Sequence, residues 1–216
     1  MSTVELEERL QELRSWQARR LAMTYDDFRR DPHCAAAVEF FLSDLYGPRD
    51  LSRREQDLAW ILERFRRALP EAACDLLGRA LELQALTGEL DRAMALQIQG
   101  ALSEASYAAA YRAVARPEAR QRQIDLIVGI GADLERLVAN AWIARALRAA
   151  HLPAHAAGFG ALQDFLERGF AAFRGMGSAQ PLLSAIRERE TRLMQALLAG
   201  ADVPPAAPCS PSVPCC

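Results

Sequence analysis

Apolar residues recur every three or four positions along almost the whole chain, a spacing typical of amphipathic α-helices. The pattern is visible near the amino end in Leu6, Leu10 and Leu13 and near the carboxyl end in Leu182 and Ile186. No run of alternating β-branched residues bounded by turn signals interrupts it. The sequence therefore predicts an all-α fold, a single bundle of about seven to nine helices.

Prolines and capping residues predict where these helices begin and end. Asp31 followed by Pro32 is typical of a helix start, and Ser103 and Pro117 open two further helices. Pro153 is expected to separate two helices, because the residue before a proline disfavours helical geometry. These signals place helices at about residues 3–28, 33–46, 52–69, 71–99, 103–115, 117–138, 142–150, 154–176 and 179–199.

Length and composition indicate one folded domain followed by a tail. The chain has 216 residues, 51% of them hydrophobic and 25% charged, which is an ordinary globular balance. Five prolines occupy residues 201–216 with few large apolar side chains, so this segment cannot build a packed core. We predict a helical bundle domain at residues 1–200 and a flexible tail at residues 201–216, which also contains Cys209, Cys215 and Cys216.

The charge balance argues against several partners. The net charge is −2, so there is no overall cationic field to attract nucleic acid. All 26 basic residues are arginine, which excludes a Schiff-base lysine and a phosphate-loop lysine.

No apolar run is long enough to span a membrane. With no signal-peptide pattern at the amino end and an odd number of cysteines, we expect a cytoplasmic protein with reduced thiols.

Two segments carry a resemblance to a known family. They are FFLSDLYGPRD at residues 40–50, followed by SRR at 52–54, and LQDFLERGF at residues 162–170. Both resemble a family of uncharacterised bacterial helical proteins, whose members carry Phe where this chain has Leu51. The resemblance implies a shared helical fold and assigns no activity, cofactor or site residue.

The motifs of several enzyme classes are missing. Di-iron bundles use Glu-x-x-His pairs, but the residues three before the three histidines are Arg30, Arg148 and Leu152. There is no His-Glu-x-x-His zinc motif and no Gly-x-Ser-x-Gly nucleophile elbow. The pair Gly129 and Gly131 lies in a helical pattern, where it favours close helix packing over dinucleotide binding. We therefore assign no catalytic residue and no metal ligand, and the cofactor is left unknown.

Two places remain as candidates for binding a ligand or a partner. His151 and His155 have the i, i+4 spacing of a metal or haem-ligand pair, but Pro153 between them weakens that geometry, and a polar helix boundary is the favoured interpretation. Tyr46, Arg49 and Asp50 place a phenol, a guanidinium and a carboxylate at one turn. Capping and turn chemistry alone also explain that turn, and this structural interpretation is the favoured one.

Two classes of function follow. The leading hypothesis is a non-enzymatic protein that binds another protein or itself, as a homodimer, because the first helix has a narrow apolar stripe flanked by charges. The alternative is a helical bundle that binds a small molecule or cofactor between its helices, with or without catalysis. Whether the protein is an enzyme stays open at this stage.

Overall fold

The computed structural model describes residues 2–42 and 71–201, and every regular element within them is helical. The all-α prediction is thus confirmed. The predicted helix at 52–69 and the tail beyond residue 201 lie outside the described residues, as does the turn that contains Tyr46, Arg49 and Asp50.

Nine helices are present in the described part of the chain, in agreement with the predicted range. They are α1 (Thr3–Thr24), α2 (Asp26–Arg30), α3 (Ala35–Phe40), α4 (Glu71–Gln97), α5 (Glu104–Val114), α6 (Pro117–Val138), α7 (Ala141–Ala156), α8 (Gly160–Met176) and α9 (Gln180–Leu198). Within these residues, no helix is both long enough and apolar enough to cross a membrane.

Local capping chemistry explains the best-predicted boundaries. Ser103 caps α5, its hydroxyl accepting a hydrogen bond from the backbone N–H of Ser106. Pro117 occupies the first turn of α6, where a missing N–H costs nothing. At the amino end, Ser2 and Glu5 form a capping box that starts α1. Each signal acts within a few residues, so the sequence alone is sufficient to locate it.

Two boundaries near the amino end differ from the prediction. The first helix ends at Thr24 and is followed by the short α2, instead of continuing to Phe28. Asp31 does not cap a helix that starts at Pro32. Its carboxylate accepts from the backbone N–H of His33, and its carbonyl accepts from Cys34 and Ala35, which closes a turn before α3 begins.

The predicted break at Pro153 is wrong. Helix α7 continues through Pro153 to Ala156, and α8 begins only at Gly160. A proline removes one helical hydrogen bond, and the last turns of α7 make side-chain contacts to α8 that are described below. The consequence is that His151 and His155 lie one helical turn apart on the same helix.

The apolar stripe of α1 packs in the interior of the bundle. Leu10 and Leu13 are buried in one apolar cluster with residues of α4, α5 and α9, and Leu21 is buried in a second cluster with residues of α3, α8 and α9. Helices α1 and α9 therefore contribute to both clusters. The stripe that suggested self-association is covered by the chain's own helices.

Candidate functional site

The histidine pair predicted from the sequence meets two carboxylates of the next helix. The rings of His151 and His155 are tilted, with centroids 4.5 Å apart. Nδ1 of His151 lies 3.0 Å from Glu167 Oε1, and Nε2 of His155 lies 2.9 Å from Asp164 Oδ1. We call these four residues the histidine–carboxylate cluster. Its side chains are between 31% and 43% exposed, so they are accessible to solvent without being fully exposed.

A buried amide fixes the acidic side of this cluster. Gln163 is only 5% exposed, and its Nε2 donates to Glu167 Oε1 at 2.8 Å and to the carbonyl oxygen of Leu147 at 2.7 Å. The hydrogen bond from Gln163, together with His151, holds the pKa of Glu167 below its ordinary value. Glu167 therefore stays ionised beside the imidazole.

A second polar site lies in the interior, where the sequence analysis had placed no site. It surrounds a cavity of about 60 Å³ between α1, α4, α5, α6 and α9. Charged, amide and phenolic side chains from these helices line it together with apolar ones. The polar lining residues are Gln17, Arg20, Tyr25, Thr87, Asp91, Tyr107, Tyr111, Arg120, Gln123 and Glu190. We call this the interior cavity.

One side of the interior cavity is an ionic network in which, among the described residues, only the Nε of Arg20 has no hydrogen-bond partner. Arg20 donates to both oxygens of Glu190, at 2.8 and 2.9 Å, and the Tyr25 hydroxyl donates to Glu190 Oε1 at 3.0 Å. Burial disfavours the charged guanidinium, but Glu190 more than offsets this and raises the pKa of Arg20. Burial likewise raises the pKa of Tyr25, so its phenol keeps the proton that it donates.

The opposite side holds Asp91, which is 3% exposed. Its Oδ1 accepts from Gln17 Nε2 at 3.1 Å, and its Oδ2 lies 3.6 Å from Arg14 Nε. Burial raises the pKa of Asp91, because these two contacts and the more distant Arg120 compensate only in part for the loss of water. The site thus contains a carboxylate that is costly to keep ionised.

Arg120 has the most unusual environment in the interior cavity. It is 5% exposed, its Nη2 donates to the sulfur of Met94 at 2.9 Å, and its guanidinium lies 4.4 Å from the ring centroid of Tyr111. Its Nε has no hydrogen-bond partner among residues 2–42 and 71–201. Among the described residues no carboxylate lies within ion-pairing distance of it. A thioether is a weak acceptor for a guanidinium, so the positive charge is poorly compensated.

The phenols add hydrogen-bond donors around this charge. Burial raises the pKa of Tyr111 to about 12 and that of Tyr107 above its ordinary value. Both rings therefore keep their protons at neutral pH. Tyr107 is fixed by stacking on Trp16, with ring centroids 4.1 Å apart. The cavity wall is rich in hydrogen-bond donors, which favours an acceptor or an anion as its occupant.

The sequence does contain a signal for this site. Gln17 falls on the apolar stripe of α1, in phase with Leu10, Leu13 and Leu21. Arg120 lies one turn before the buried Ile124 in α6, and Asp91 lies one turn before the buried Met94 in α4. Polar residues in phase with apolar stripes indicate buried polar groups. Their convergence from separate helices cannot be read from any one stripe.

These observations define the class of protein: an all-α bundle with a cluster of charged and phenolic side chains around a small interior cavity. Within that class, the chain belongs to the family described as Domain of unknown function (DUF8198), whose sequence profile matches residues 1–204. This membership confirms the resemblance to an uncharacterised family. No curated protein and no solved structure matches the chain.

Proposed function

We propose that the protein binds a small anionic molecule in the interior cavity. The observation that carries the proposal is Arg120, a buried guanidinium that lines the cavity and has no carboxylate partner among the described residues. An uncompensated buried charge is costly, and a protein retains one where a ligand supplies the opposite charge. Buried groups with such environments concentrate at functional sites.

The size of the cavity and the donors that line it favour a small anion as the ligand. Among the described residues that line the cavity, two carry guanidinium groups, Arg20 and Arg120, and two carry carboxyl groups, Asp91 and Glu190. This lining is neutral when both carboxyl groups are ionised and has one excess positive charge when Asp91 is protonated. The volume of about 60 Å³ is several times the space that one water molecule needs, so the cavity admits a small molecule. A carboxylate of up to about four heavy atoms fits this space, and its two oxygens match the forked donors of a guanidinium.

Thermal unfolding in a panel of salts tests the proposal. Formate, acetate and bicarbonate are compared with chloride at equal ionic strength and pH. We expect one of these oxyanions to raise the melting temperature in proportion to the logarithm of its concentration, because a ligand that binds only the folded state stabilises it by mass action. At a concentration of about 100 times Kd the gain is about 2.7 kcal/mol.

Two matched variants connect this effect to the cavity. Arg120→Met removes the buried charge and preserves most of the side-chain volume, and we expect it to abolish the anion-specific shift. Arg122→Met lies on the same helix, but Arg122 is exposed and pairs with Glu82, so we expect the shift to persist. If no small oxyanion stabilises the wild-type protein beyond chloride, or if both variants keep the shift, water fills the cavity and the proposal is wrong.

Association with a protein partner, or with a second copy of the chain, stays a prediction from the sequence. Its original basis was the apolar stripe of α1, and Leu10, Leu13 and Leu21 are buried within the bundle. The proposed ligand site therefore has the stronger structural support. A cytoplasmic location also stays a prediction.

A further inference from the structure

The histidine–carboxylate cluster brings together three side chains that bind transition metals. One ring nitrogen of His151, one of His155 and one oxygen of Asp164 all lie within 4.8 Å of one another. The two imidazoles come from consecutive turns of α7, and the carboxylate comes from the first turns of α8. We propose that these three residues form a binding site for a zinc-type divalent cation.

The donor set selects the class of metal. Imidazole nitrogen and carboxylate oxygen together suit Zn²⁺ and its transition-metal neighbours, whereas Mg²⁺ prefers oxygen ligands alone. In a tetrahedral zinc site with bonds of about 2.0–2.1 Å, adjacent ligand atoms are about 3.4 Å apart. His155 Nε2 and Asp164 Oδ1 are 2.9 Å apart. This pair must separate by about half an ångström to share a cation, and the ligand nitrogen of His151, which lies within 4.8 Å of both atoms, must approach them by up to about 1.4 Å.

Glu167 and Gln163 position this site. Glu167 contacts Nδ1 of His151, and Gln163 ties Glu167 to the carbonyl oxygen of Leu147 in α7. A carboxylate on a ring nitrogen fixes the orientation of an imidazole and increases its basicity, which is the usual arrangement around a metal-bound histidine. The cluster differs from a chance surface ion pair because a buried amide donates one hydrogen bond to this carboxylate and another to the backbone of α7.

Gly160 provides the space that the second histidine needs. A Cβ atom at this position would lie 2.5 Å from Nδ1 of His155, closer than side chains tolerate. The absence of a side chain at the start of α8 thus lets the imidazole lie against the backbone. The site remains open to solvent, since the side chains of His151 and His155 are 42% and 41% exposed, so a cation can enter without unfolding the hairpin.

The metal site is independent of the interior cavity. All the described residues that line the cavity lie outside α7 and α8. Either site can therefore be tested, and can fail, without affecting the other.

Calorimetric titration with ZnCl₂ tests the proposal. Because thiols also bind zinc, the titration uses the full chain with Cys209, Cys215 and Cys216 replaced by serine. We expect one Zn²⁺ per chain and no heat with MgCl₂. His151→Ala, His155→Ala and Asp164→Asn should each weaken zinc binding by at least about tenfold, and Glu167→Gln by about 10- to 100-fold with helicity unchanged.

The third histidine supplies the control. His33 lies in the turn before α3, and its backbone N–H bonds to Asp31. We expect His33→Ala to bind zinc as the parent does. If the parent chain does not bind zinc, or if His33→Ala and the double variant His151→Ala/His155→Ala bind it equally, the cluster is only a pair of ion pairs that join α7 to α8, and the proposal is overturned.

Discussion

At the scale of single residues, the interior cavity is where stability and binding oppose each other. Asp91 and Arg120 are both buried. Asp91 pairs with Arg14 at 3.6 Å, which compensates only in part for its loss of water, and Arg120 has no carboxylate within ion-pairing distance among the described residues. Binding sites commonly contain groups that the folded chain would be more stable without. The clearest test concerns Asp91, since its burial has a direct consequence for pH dependence.

We predict that Asp91→Asn stabilises the protein at high pH. A carboxyl group whose pKa is raised by folding holds its proton more tightly in the folded chain. This tighter proton binding contributes to the free energy of unfolding. The contribution is fully present below the ordinary pKa of 3.8, and it is lost as the pH rises through the raised pKa of the folded protein. Asparagine can still accept from Gln17 and never ionises. At pH 8 its melting temperature should exceed that of the wild type by about 2–4 °C, for a gain of about 1 kcal/mol.

Melting curves of both proteins between pH 3.5 and 8 measure this difference. The gap should narrow as the pH falls toward the ordinary pKa of an aspartate, where the wild-type side chain is protonated as well. A variant that is less stable than the wild type at pH 8 would show instead that ionised Asp91 is stabilised by Arg14 and Arg120.

At the scale of helices, the sequence predicts what is decided locally and fails where a distant contact decides. Ser103 and Pro117 predict the first residues of α5 and α6 to within one residue, because capping chemistry acts inside one helical turn. Pro153 is misleading, because α7 continues through it where His155 contacts Asp164 in α8. For the same reason the sequence identifies the histidine pair as a candidate but not the carboxylates of α8 that complete the cluster.

Helix α6 offers a matched pair of glycines for a packing test. A Cβ at Gly131 would lie 2.4 Å from Leu183 Cδ2 in the core, whereas the nearest atom to a Cβ at Gly129 is Arg79 Nη1, 3.8 Å away. We predict that Gly131→Ala destabilises by about 1–3 kcal/mol through overpacking. Gly129→Ala should stabilise by up to about 1 kcal/mol through its helix propensity. Urea denaturation of both variants measures the change in the free energy of unfolding, which should be negative for Gly131→Ala and positive for Gly129→Ala. Equal changes in the two variants would contradict close packing of α6 on α9.

At the scale of the whole molecule, the chain closes on itself through its first and last described helices. Arg20 in α1 and Glu190 in α9 are 170 residues apart in sequence, and their side chains are 12% and 15% exposed. The two helices also contribute to both apolar clusters. This long-range pair is therefore placed to hold the two clusters in one bundle, and a helical pattern read along the sequence gives no sign of it.

A double-mutant cycle on Arg20 and Glu190 tests whether burial or geometry gives such a pair its strength. Arg20→Met or Glu190→Met alone leaves the other charge buried without its partner, so we expect each to cost about 3–5 kcal/mol, and the double variant to cost less than their sum. Arg122 and Glu82 are the control, because they also form two hydrogen bonds, at 2.8 and 2.9 Å, but are 55% and 44% exposed. Arg122 donates through Nε and Nη2, and Arg20 donates through its two Nη atoms. Water already screens that pair, so its coupling energy should be far smaller. Equal coupling energies in the two cycles, measured by chemical denaturation, would show that hydrogen-bond geometry decides and burial does not.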